Sequence, residues 1–538
     1  MADIALCSVF QTLSSQFIGQ FLKPEIALCR FLPRVMNGVF SGIRCTSTLI
    51  RGSLTVNYER VQGPDLVFYA MVGAPGEDAS ELNLLSAGRI NACRWIADTK
   101  GGPDMNCLVP GEKKCEESGV SKVNIIGAYN TAFGAFVEKN RETREVTDKK
   151  SFYELLIEAG RGALADANMS ADEIDGVWVG ACSPSMFVNQ EHVAPLAAEI
   201  DPDGLRWKPM TRVEGACASS SVALYNALYA IESGRFNKVL VLGVEKMNLL
   251  PTKGVTHALA CCSYWPSEGS KGMTFPGLFG ELAKSYKAHY KLEDEPFRRM
   301  LAEVSALCYR NGLQNPLAHF GPGSLIEKRQ LTTAEAILAL PDEGKGSNPM
   351  IAPPLRLHDC SLISDGAAAV ALSSKQATPA GSKAVEMAGI GFSVERSALE
   401  VRQHAYELQA AKDARGKAFA EAGITIANVD LAEVHDCFTI NQLLCTEALG
   451  LSQDGRAGYD YSEGRFSAED RCPVNLSGGL KAKGHPVGAT GVSMHALTYK
   501  QLIGEPIGVA PTRQPEVGVV LNVGGSAVTN CVSVLRRC

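Results

Sequence analysis

The sequence lacks any apolar run that approaches the roughly 20 residues a membrane-spanning helix requires. Its 17 cysteines show none of the paired spacings of zinc sites, and the adjacent thiols of Cys261 and Cys262 are poorly placed for a disulfide. The formal net charge of −6 gives no reason to expect nucleic acid or an anionic membrane as a partner. These absences predict a protein of a reducing compartment, without a metal site, a membrane span or a nucleic-acid partner.

Acidic residues are scarce in residues 1–58, where hydroxyl-bearing and basic side chains are common. The charged residues there are Asp3, Lys23, Glu25, Arg30, Arg34, Arg44 and Arg51. An arginine-rich, acid-poor segment is typical of a mitochondrial transit peptide. Two other interpretations stay open: a disordered leader without a targeting role, and an over-extended start with Met105 as the initiator. Residues 59–120 show only weak periodicity of apolar residues, and we assign them no role.

The rest of the chain alternates between predicted strands and helices. A chain of 538 residues that is 46% hydrophobic can form two or three domains around a large core. Strands are predicted at 122–128, 175–181 and 238–244, with an amphipathic helix over 151–168. A buried helix is predicted to begin just after Cys217. This alternation predicts an α/β protein with a mostly parallel sheet.

Residues 247–355 interrupt this pattern with glycine, proline and lysine around a few helical pieces, at 296–309 and 333–340. Residues 365–372 then return to the composition of a buried strand. We interpret residues 247–355 as an insertion of about a hundred residues, set over the core.

The second half of the chain repeats the first. Residues 163–179 align without gaps with residues 418–434, and the same offset pairs Cys182 with Cys437. Residues 488–522 then repeat the helix-then-strand order that surrounds Cys217. Two tandem copies of one α/β unit are therefore predicted. A site between them would use helix starts and strand ends, where ligands of open α/β sheets bind.

Cys217 is the first candidate for chemistry. Small residues precede it, and an apolar helical stretch follows it. A thiol at a helix N-terminus faces unpaired N–H groups and the positive end of the helix dipole, so we expect its pKa to be lowered. A buried core cysteine is the alternative interpretation.

Three later stretches supply partners for this thiol. Residues 433–438 end a predicted strand with His435 and Cys437, residues 475–491 form a glycine-rich loop before a helix, and residues 521–526 lead a strand into a Gly-Gly turn. Acyl transfer through a thioester needs a nucleophilic thiol, a base, a second acid/base and donors for an oxyanion. These stretches contain all four kinds of group.

These residues resemble the thiolase family over about residues 121–538, and within it the sterol-carrier-protein-2 type. Gly-His-Pro at 484–486, followed by Gly-Ala-Thr-Gly at 488–491, resembles the family's histidine loop, and Gly-Ala-Cys-Ala-Ser-Ser at 215–220 its nucleophile loop. Ordinary thiolases have Asn-Glu-Ala-Phe where this chain has His-Asp-Cys-Phe at 435–438, and Cys-x-Gly where it has Asn-Val-Gly at 522–524. Both departures are features of the sterol-carrier-protein-2 type.

The resemblance implies a five-layer α/β/α/β/α fold with two pseudo-repeated halves, and a homodimer or homotetramer. The N-terminal half would comprise residues 121–246 and 356–376, with the loop domain 247–355 inserted in it. Residues 377–538 would form the C-terminal half, and residues 1–120 an extension.

The resemblance also implies a reaction and a role for each site residue. The enzyme would cleave 3-oxoacyl-CoA with CoA to acyl-CoA and acetyl-CoA or propionyl-CoA, or run the reverse Claisen condensation, in fatty acid metabolism. Coenzyme A would be a substrate, with no permanently bound cofactor. Cys217 would be the acylated nucleophile, His485 its base and Cys437 the second acid/base. His435 and His485 would form one oxyanion hole, and the backbone N–H groups of Cys217 and Gly524 the other.

Several alternatives stay open. The chain could be a ketoacyl synthase relative, or a non-catalytic thiolase-like binder of acyl-CoA or lipid. A second His-Asp-Cys, at 358–360, precedes a structural strand and is assigned no chemistry. Lys481 and Lys483 are interpreted as solvated surface residues rather than contacts of CoA phosphates. Cys182 and Cys531 are interpreted as core.

The C-terminus bears on location. The chain ends in Arg-Arg-Cys, unlike the Ser-Lys-Leu peroxisomal signal, and no sterol-carrier module is expected after the last predicted strand. A mitochondrial location is therefore expected from the N-terminal segment, with a peroxisomal or cytosolic location as the alternative.

Overall fold

The structure is a computed structural model that describes residues 122–140, 142–143 and 145–538, together with the backbone of four short strands nearer the N-terminus. The chain divides into two compact units, Met1–Cys115 and Glu116–Cys538. In the first unit, strands β1 (Leu54–Thr55), β2 (Tyr69–Val72), β3 (Asn83–Ser86) and β4 (Cys93–Arg94) form an antiparallel sheet in chain order. Apart from β1, the predicted transit segment, residues 1–58, lies outside the described residues.

The second unit contains the other strands and the helices of the part of the chain that the structure describes. The strands are β5 (Val123–Asn130), β6 (Val137–Lys139), β7 (Val146–Asp148), β8 (Gly176–Gly180), β9 (Met210–Val213), β10 (Lys238–Glu245), β11 (Met350–Ala352), β12 (Leu355–Arg356), β13 (Gly366–Ser374), β14 (Val385–Val394), β15 (Leu431–Val434), β16 (Val517–Gly524) and β17 (Thr529–Arg537). The helices are α1 (Phe152–Asp166), α2 (Pro184–Val188), α3 (Pro202–Leu205), α4 (Ser219–Glu232), α5 (Thr252–Ala260), α6 (Phe275–His289), α7 (Asp294–Gly312), α8 (Leu325–Lys328), α9 (Ala334–Leu338), α10 (Gln409–Ala422), α11 (Thr439–Leu449), α12 (Ala457–Ser462), α13 (Gly479–Ala482) and α14 (Thr490–Leu502). None of these helices is long and apolar enough to cross a bilayer.

The two halves have the same strand order. The N-terminal half runs β9-β8-β10-β13-β5, and the C-terminal half runs β15-β16-β17-β14, with a bridge from Ala432 to Val474 in the place of its third strand. If the strands of each half are numbered along the chain, they therefore lie side by side in the order third, second, fourth, fifth, first. The short helical turns Ala171–Glu173 and Ile426–Asn428, before β8 and β15, keep the spacing of the sequence alignment. The predicted repeat is thus present in three dimensions.

The expectation of a mostly parallel sheet is wrong. Among the strand pairs of the nine-stranded sheet, within the described residues, β8–β9, β8–β10 and β15–β16 are parallel. The pairs β10–β13, β13–β5, β5–β14, β14–β17 and β16–β17 are antiparallel. The physical reason lies in the connections. A short turn joins β16 to β17, and the long insertion joins β10 to β13, so neither link is the crossover helix that keeps neighbouring strands parallel.

Strand β10 shows how the layers form, since its successive side chains point to opposite faces of the sheet. Leu240 and Leu242 pack with α1 on one face, and Val239 and Val241 pack with α4 on the other. Helix α4 contacts α14 between the two halves, and α10 covers β14 and β17. The result is the predicted α/β/α/β/α arrangement, with α4 and α14 as its central layer.

Candidate active site

The turn before Cys217 is strained and firmly held. Ala216 has φ 51°, a left-handed conformation that is uncommon for a residue with a side chain. Its N–H donates to Glu214 Oε1 at 2.5 Å, and its carbonyl accepts from the Ser219 hydroxyl at 2.6 Å. Cys217 follows at the entrance to α4 and is only 6% exposed. The turn therefore aims the thiol into the interior, between the two halves.

The expectation of a lowered pKa for Cys217 is wrong in this resting structure. Burial raises the pKa of the thiol, and the nearby Cys262 thiol and Glu245 carboxyl raise it further. The backbone N–H groups of Gly525 and of Cys217 itself lower the pKa, but by less than burial raises it. The thiol is therefore protonated at neutral pH and needs a base to become a nucleophile.

His485 is placed to be that base. Thr490 Oγ1 lies 2.7 Å from His485 Nδ1 and donates its one hydrogen to the Pro486 carbonyl at 3.0 Å. Nδ1 must then be the nitrogen that donates to the hydroxyl, which leaves Nε2 unprotonated. Burial and the charge of Lys483 lower the pKa of His485 to about 3, so the ring is neutral. A neutral imidazole with a free Nε2 can accept the Cys217 proton.

His435 carries the opposite tautomer. Asn522 Nδ2 donates to His435 Nδ1 at 2.9 Å, so the ring proton lies on Nε2. The amide is oriented by Ser221, whose hydroxyl donates to Asn522 Oδ1 at 2.8 Å. Burial, followed by the charges of His485 and Lys483, lowers the pKa of His435 well below its usual range. His435 therefore offers a neutral N–H donor, the kind of group that stabilises a developing oxyanion.

The two imidazoles and the thiol meet at one point. The rings of His435 and His485 are 5.1 Å apart, edge to face, and one nitrogen of each ring and the Cys217 sulfur all lie within 4.8 Å of one another. This spacing is also short enough for the three to share a metal ion, which would then block the nucleophile. Residues 217, 435 and 485 are brought together from three separate loops.

Cys437 follows His435 by two residues, after the end of β15. It is 5% exposed, and burial raises its pKa well above the usual value, with further contributions from Cys217, Cys445 and Asp436. Cys437 is thus protonated at neutral pH, as an acid that donates to a carbanion must be.

Gly524 lies against the nucleophile turn, where no side chain fits. A Cβ added to it would be 2.2 Å from the Gly215 carbonyl oxygen. The N–H groups of Cys217 and Gly524 remain the predicted oxyanion donors. Gly525, which sequence reasoning did not select, is the residue of this turn whose N–H lowers the pKa of the Cys217 thiol.

The assignment of Lys481 and Lys483 to the surface is wrong. Both are buried: Lys481 Nζ donates to the Tyr309 hydroxyl at 2.6 Å, and Lys483 Nζ donates to Ser493 Oγ at 2.8 Å. Burial lowers the pKa of each ammonium group to about 8. Helix α7 of the insertion packs over this loop, and that distant contact leaves no local signal in the sequence.

The second His-Asp-Cys lies beside the first. Cys360 forms a backbone bridge with Phe438, and the Ser361 N–H donates to the Cys437 carbonyl at 2.9 Å. His358 Nδ1 instead pairs with the Tyr309 hydroxyl at 2.7 Å. The tripeptide 358–360 therefore supports the backbone of the site. Cys182 and Cys531, interpreted as core, are both buried.

Comparison with known proteins identifies the family. Residues 123–321 match the thiolase N-terminal domain, and residues 391–537 match the thiolase C-terminal domain-like family. The chain is 36% identical over 421 residues to an acetyl-CoA acetyltransferase of Methanothermobacter thermautotrophicus, covering 77% of this chain and 99% of that protein. The chain belongs to the thiolase family. As a thiolase it is an acyltransferase, and its fold is the thiolase fold.

Two further comparisons agree with this thiolase assignment. Sterol carrier protein 2 of Rattus norvegicus is 30% identical over 405 residues, covering 71% of this chain and 68% of that protein. The solved acetyl-CoA acetyltransferase from Syntrophomonas wolfei has a TM-score of 0.54 and 19% identity, covering 78% of this chain and 99% of that one. The resemblance to the thiolase family is therefore confirmed.

Proposed function

We propose that this thiolase cleaves 3-oxoacyl-CoA with CoA, giving acyl-CoA and acetyl-CoA or propionyl-CoA, and catalyses the reverse Claisen condensation. The observation that carries the proposal is the meeting of the Cys217 thiol with the imidazoles of His435 and His485. His485 Nε2 is unprotonated, and the protonated thiol of Cys437 lies two residues after His435. These are the nucleophile, base and acid that carbon–carbon cleavage through an acyl-enzyme requires.

In the first half-reaction, His485 Nε2 takes the Cys217 proton as the sulfur attacks the 3-oxo carbon. Backbone N–H groups of Cys217 and Gly524 would bind the oxyanion that forms there. The bond between C2 and C3 then breaks, leaving an acyl-Cys217 thioester. The electron pair left on C2 takes the proton of Cys437, while His435 Nε2–H and the protonated His485 bind the thioester oxygen, and acetyl-CoA or propionyl-CoA leaves.

In the second half-reaction, the Cys437 thiolate takes the proton of an incoming CoA thiol. The CoA sulfur attacks the acyl carbon, and Cys217 leaves with the proton that His485 held. The product is acyl-CoA, and both protein thiols return to their protonated state. Their raised pKa values support this cycle, because each thiol begins and ends as a neutral acid.

Under this proposal, coenzyme A is a substrate rather than a resident cofactor. We further propose a homodimer or homotetramer, a role in fatty acid metabolism and a mitochondrial location. Light scattering on the purified chain tests the assembly.

A panel of 3-oxoacyl-CoA thioesters of increasing length, with and without a 2-methyl branch, tests the reaction. We expect CoA-dependent cleavage of at least one member, abolished in Cys217→Ala and retained in Cys531→Ser, a buried thiol on β17. Binding of acyl-CoA without cleavage of any member would instead indicate a non-catalytic binder. Condensation without thiolysis would favour a ketoacyl synthase relative.

A further inference from the structure

The turn that joins β16 to β17, residues 524–527, is called here the oxyanion turn. Gly525 and Ala527 in it have φ 64° and 62°, both left-handed. The Val528 N–H donates to the Gly524 carbonyl at 3.0 Å, and Gly524 packs against the Gly215 carbonyl, two residues before Cys217. The Gly525 N–H lowers the pKa of the Cys217 thiol. A peptide between two glycines has little intrinsic preference for one orientation. Contacts from elsewhere must therefore hold this turn.

Arg402 makes such a contact. Its guanidinium donates to the Ser526 carbonyl and, at 3.1 Å, to Ser526 Oγ. Two more of its N–H groups donate to the Arg396 carbonyl at 2.9 Å and the Ser397 carbonyl at 3.2 Å. Ser526 is fully buried. One planar side chain thus joins the oxyanion turn to residues 395–402, called here the strap.

The strap is itself anchored. Glu395 donates its N–H to the Val528 carbonyl at 2.8 Å. The buried Glu268 accepts from the Leu399 N–H at 2.7 Å through one oxygen and from the Tyr264 N–H at 2.9 Å through the other. Glu268 therefore ties the strap to the inserted segment. Arg402 is supported by a fixed backbone on its own side and reaches a glycine-rich turn on the other.

We propose that Arg402 is a positioning residue, which holds Ser526 so that the N–H groups of the oxyanion turn face the sulfur of Cys217 and the oxyanion formed there. The proposal rests on the nucleophilic role proposed above for Cys217. Arg402 touches no reacting atom. It acts by restricting a turn that its own glycines leave free, and the two-pronged contact requires the guanidinium fork rather than a point charge.

The test compares two reactions of Cys217 at one pH. Acylation by p-nitrophenyl acetate passes through an oxyanion, whereas alkylation by iodoacetamide does not, and neither reagent requires recognition of CoA. In Arg402→Gln we expect acylation to slow by about tenfold to a hundredfold, somewhat less than complete loss of one oxyanion donor. We expect alkylation to slow by less than about threefold, because a thiolate that loses a hydrogen bond gains nucleophilicity as its pKa rises.

Arg402→Lys should restore part of the acylation rate, and Ser526→Ala should slow acylation by about threefold. The control is Arg396→Gln, since Arg396 is exposed and donates to Val401 within the strap rather than to the turn. If Arg402→Gln does not fold, the acylation rates of Arg402→Lys and Ser526→Ala test the proposal instead. Equal slowing of both reactions, or wild-type rates in the soluble variants, overturns the proposal. If the wild-type protein shows no thiolysis, the proposed function is overturned, but the positioning role of Arg402 is not.

Discussion

Asn522 donates its side-chain amide to Nδ1 of His435 at 2.9 Å, and this hydrogen bond determines which ring nitrogen carries the proton. Because Ser221 donates to the amide oxygen, the amide cannot turn over without losing that bond. From the sequence, Asn522 is notable only because ordinary thiolases have cysteine at that place. In the structure it is the residue that makes His435 a hydrogen-bond donor toward the substrate.

Replacing Asn522 with aspartate should invert the His435 tautomer. A carboxylate accepts the Nδ1 proton, which leaves Nε2 without a hydrogen to donate to the thioester oxygen. We expect kcat to fall by about a hundredfold to a thousandfold, as for loss of an oxyanion-hole donor, with KM changed little. Asn226→Asp, on the exposed side of α4, is the control and should keep wild-type kinetics. A wild-type kcat in Asn522→Asp would contradict the assignment.

Replacing Cys217 and replacing Cys437 should block different half-reactions. Cys217→Ala should form no covalent adduct with acetyl-CoA or acetoacetyl-CoA, since the sulfur that holds the acyl group is gone. Cys437→Ala should still be acylated, but it should not turn over, because it lacks the acid/base for the partner substrate. Intact-protein mass spectrometry distinguishes the two, and a stable acetyl adduct on Cys217→Ala would show that the nucleophile is misassigned.

The charge of Lys483 should influence the pH below which activity is lost. Its charge lowers the pKa of His485 and His435, second in size to the effect of burial for His485. Lys483→Met removes that charge, so the pKa of His485 should rise. His485 acts as a base only when neutral, and the acidic limb of the kcat/KM profile should therefore move to higher pH, by up to about one unit.

Lys417→Met, an exposed substitution on α10, provides the control for that profile. An acidic limb that stays in place in a folded Lys483→Met protein would show that the ammonium group does not influence the catalytic histidine.

Gly524→Ala should disrupt the site through steric overlap. The added Cβ would lie 2.2 Å from the Gly215 carbonyl oxygen, so either the oxyanion turn or the nucleophile turn must move. We expect at least a tenfold loss of kcat. The matched control is Gly416→Ala on α10, where nothing lies within 4 Å of the added atom. This control should be neutral or stabilising by about 0.5–1 kcal/mol, as expected for alanine in a helix. Full activity in Gly524→Ala would exclude close packing as the reason for this glycine.

The N-terminal extension should be dispensable for catalysis. A chain that begins at Met105 is expected to be soluble and to have the kcat of the full chain, because the thiolase core forms a compact unit from Glu116 onward. Circular dichroism and steady-state assays of the truncated chain check this, and an insoluble or inactive product would contradict it. Separately, residues 1–60 fused to a fluorescent reporter should direct it to mitochondria, and a cytosolic signal would refute the targeting role.

Local pattern in the sequence was enough to predict the elements that position the site. The helix predicted over 151–168 is Phe152–Asp166, and the strand predicted over 175–181 is Gly176–Gly180. The pieces at 296–309 and 333–340 lie on Asp294–Gly312 and Ala334–Leu338. These predictions succeed because apolar periodicity and helix caps act within a few residues. The repeat is equally local, since each copy carries the same pattern.

The sequence by itself therefore determined the alternation of elements, the two-fold repeat and the loops that carry Cys217, His435, Cys437 and His485. Only the tertiary structure decided strand direction, the burial of Lys481 and Lys483, the raised pKa of Cys217 and the tautomers of the two histidines. Each of these depends on contacts between distant segments, such as Ser221 with Asn522 or Lys481 with Tyr309. Desolvation and hydrogen-bond partners are properties of the packed site, and no local pattern specifies them.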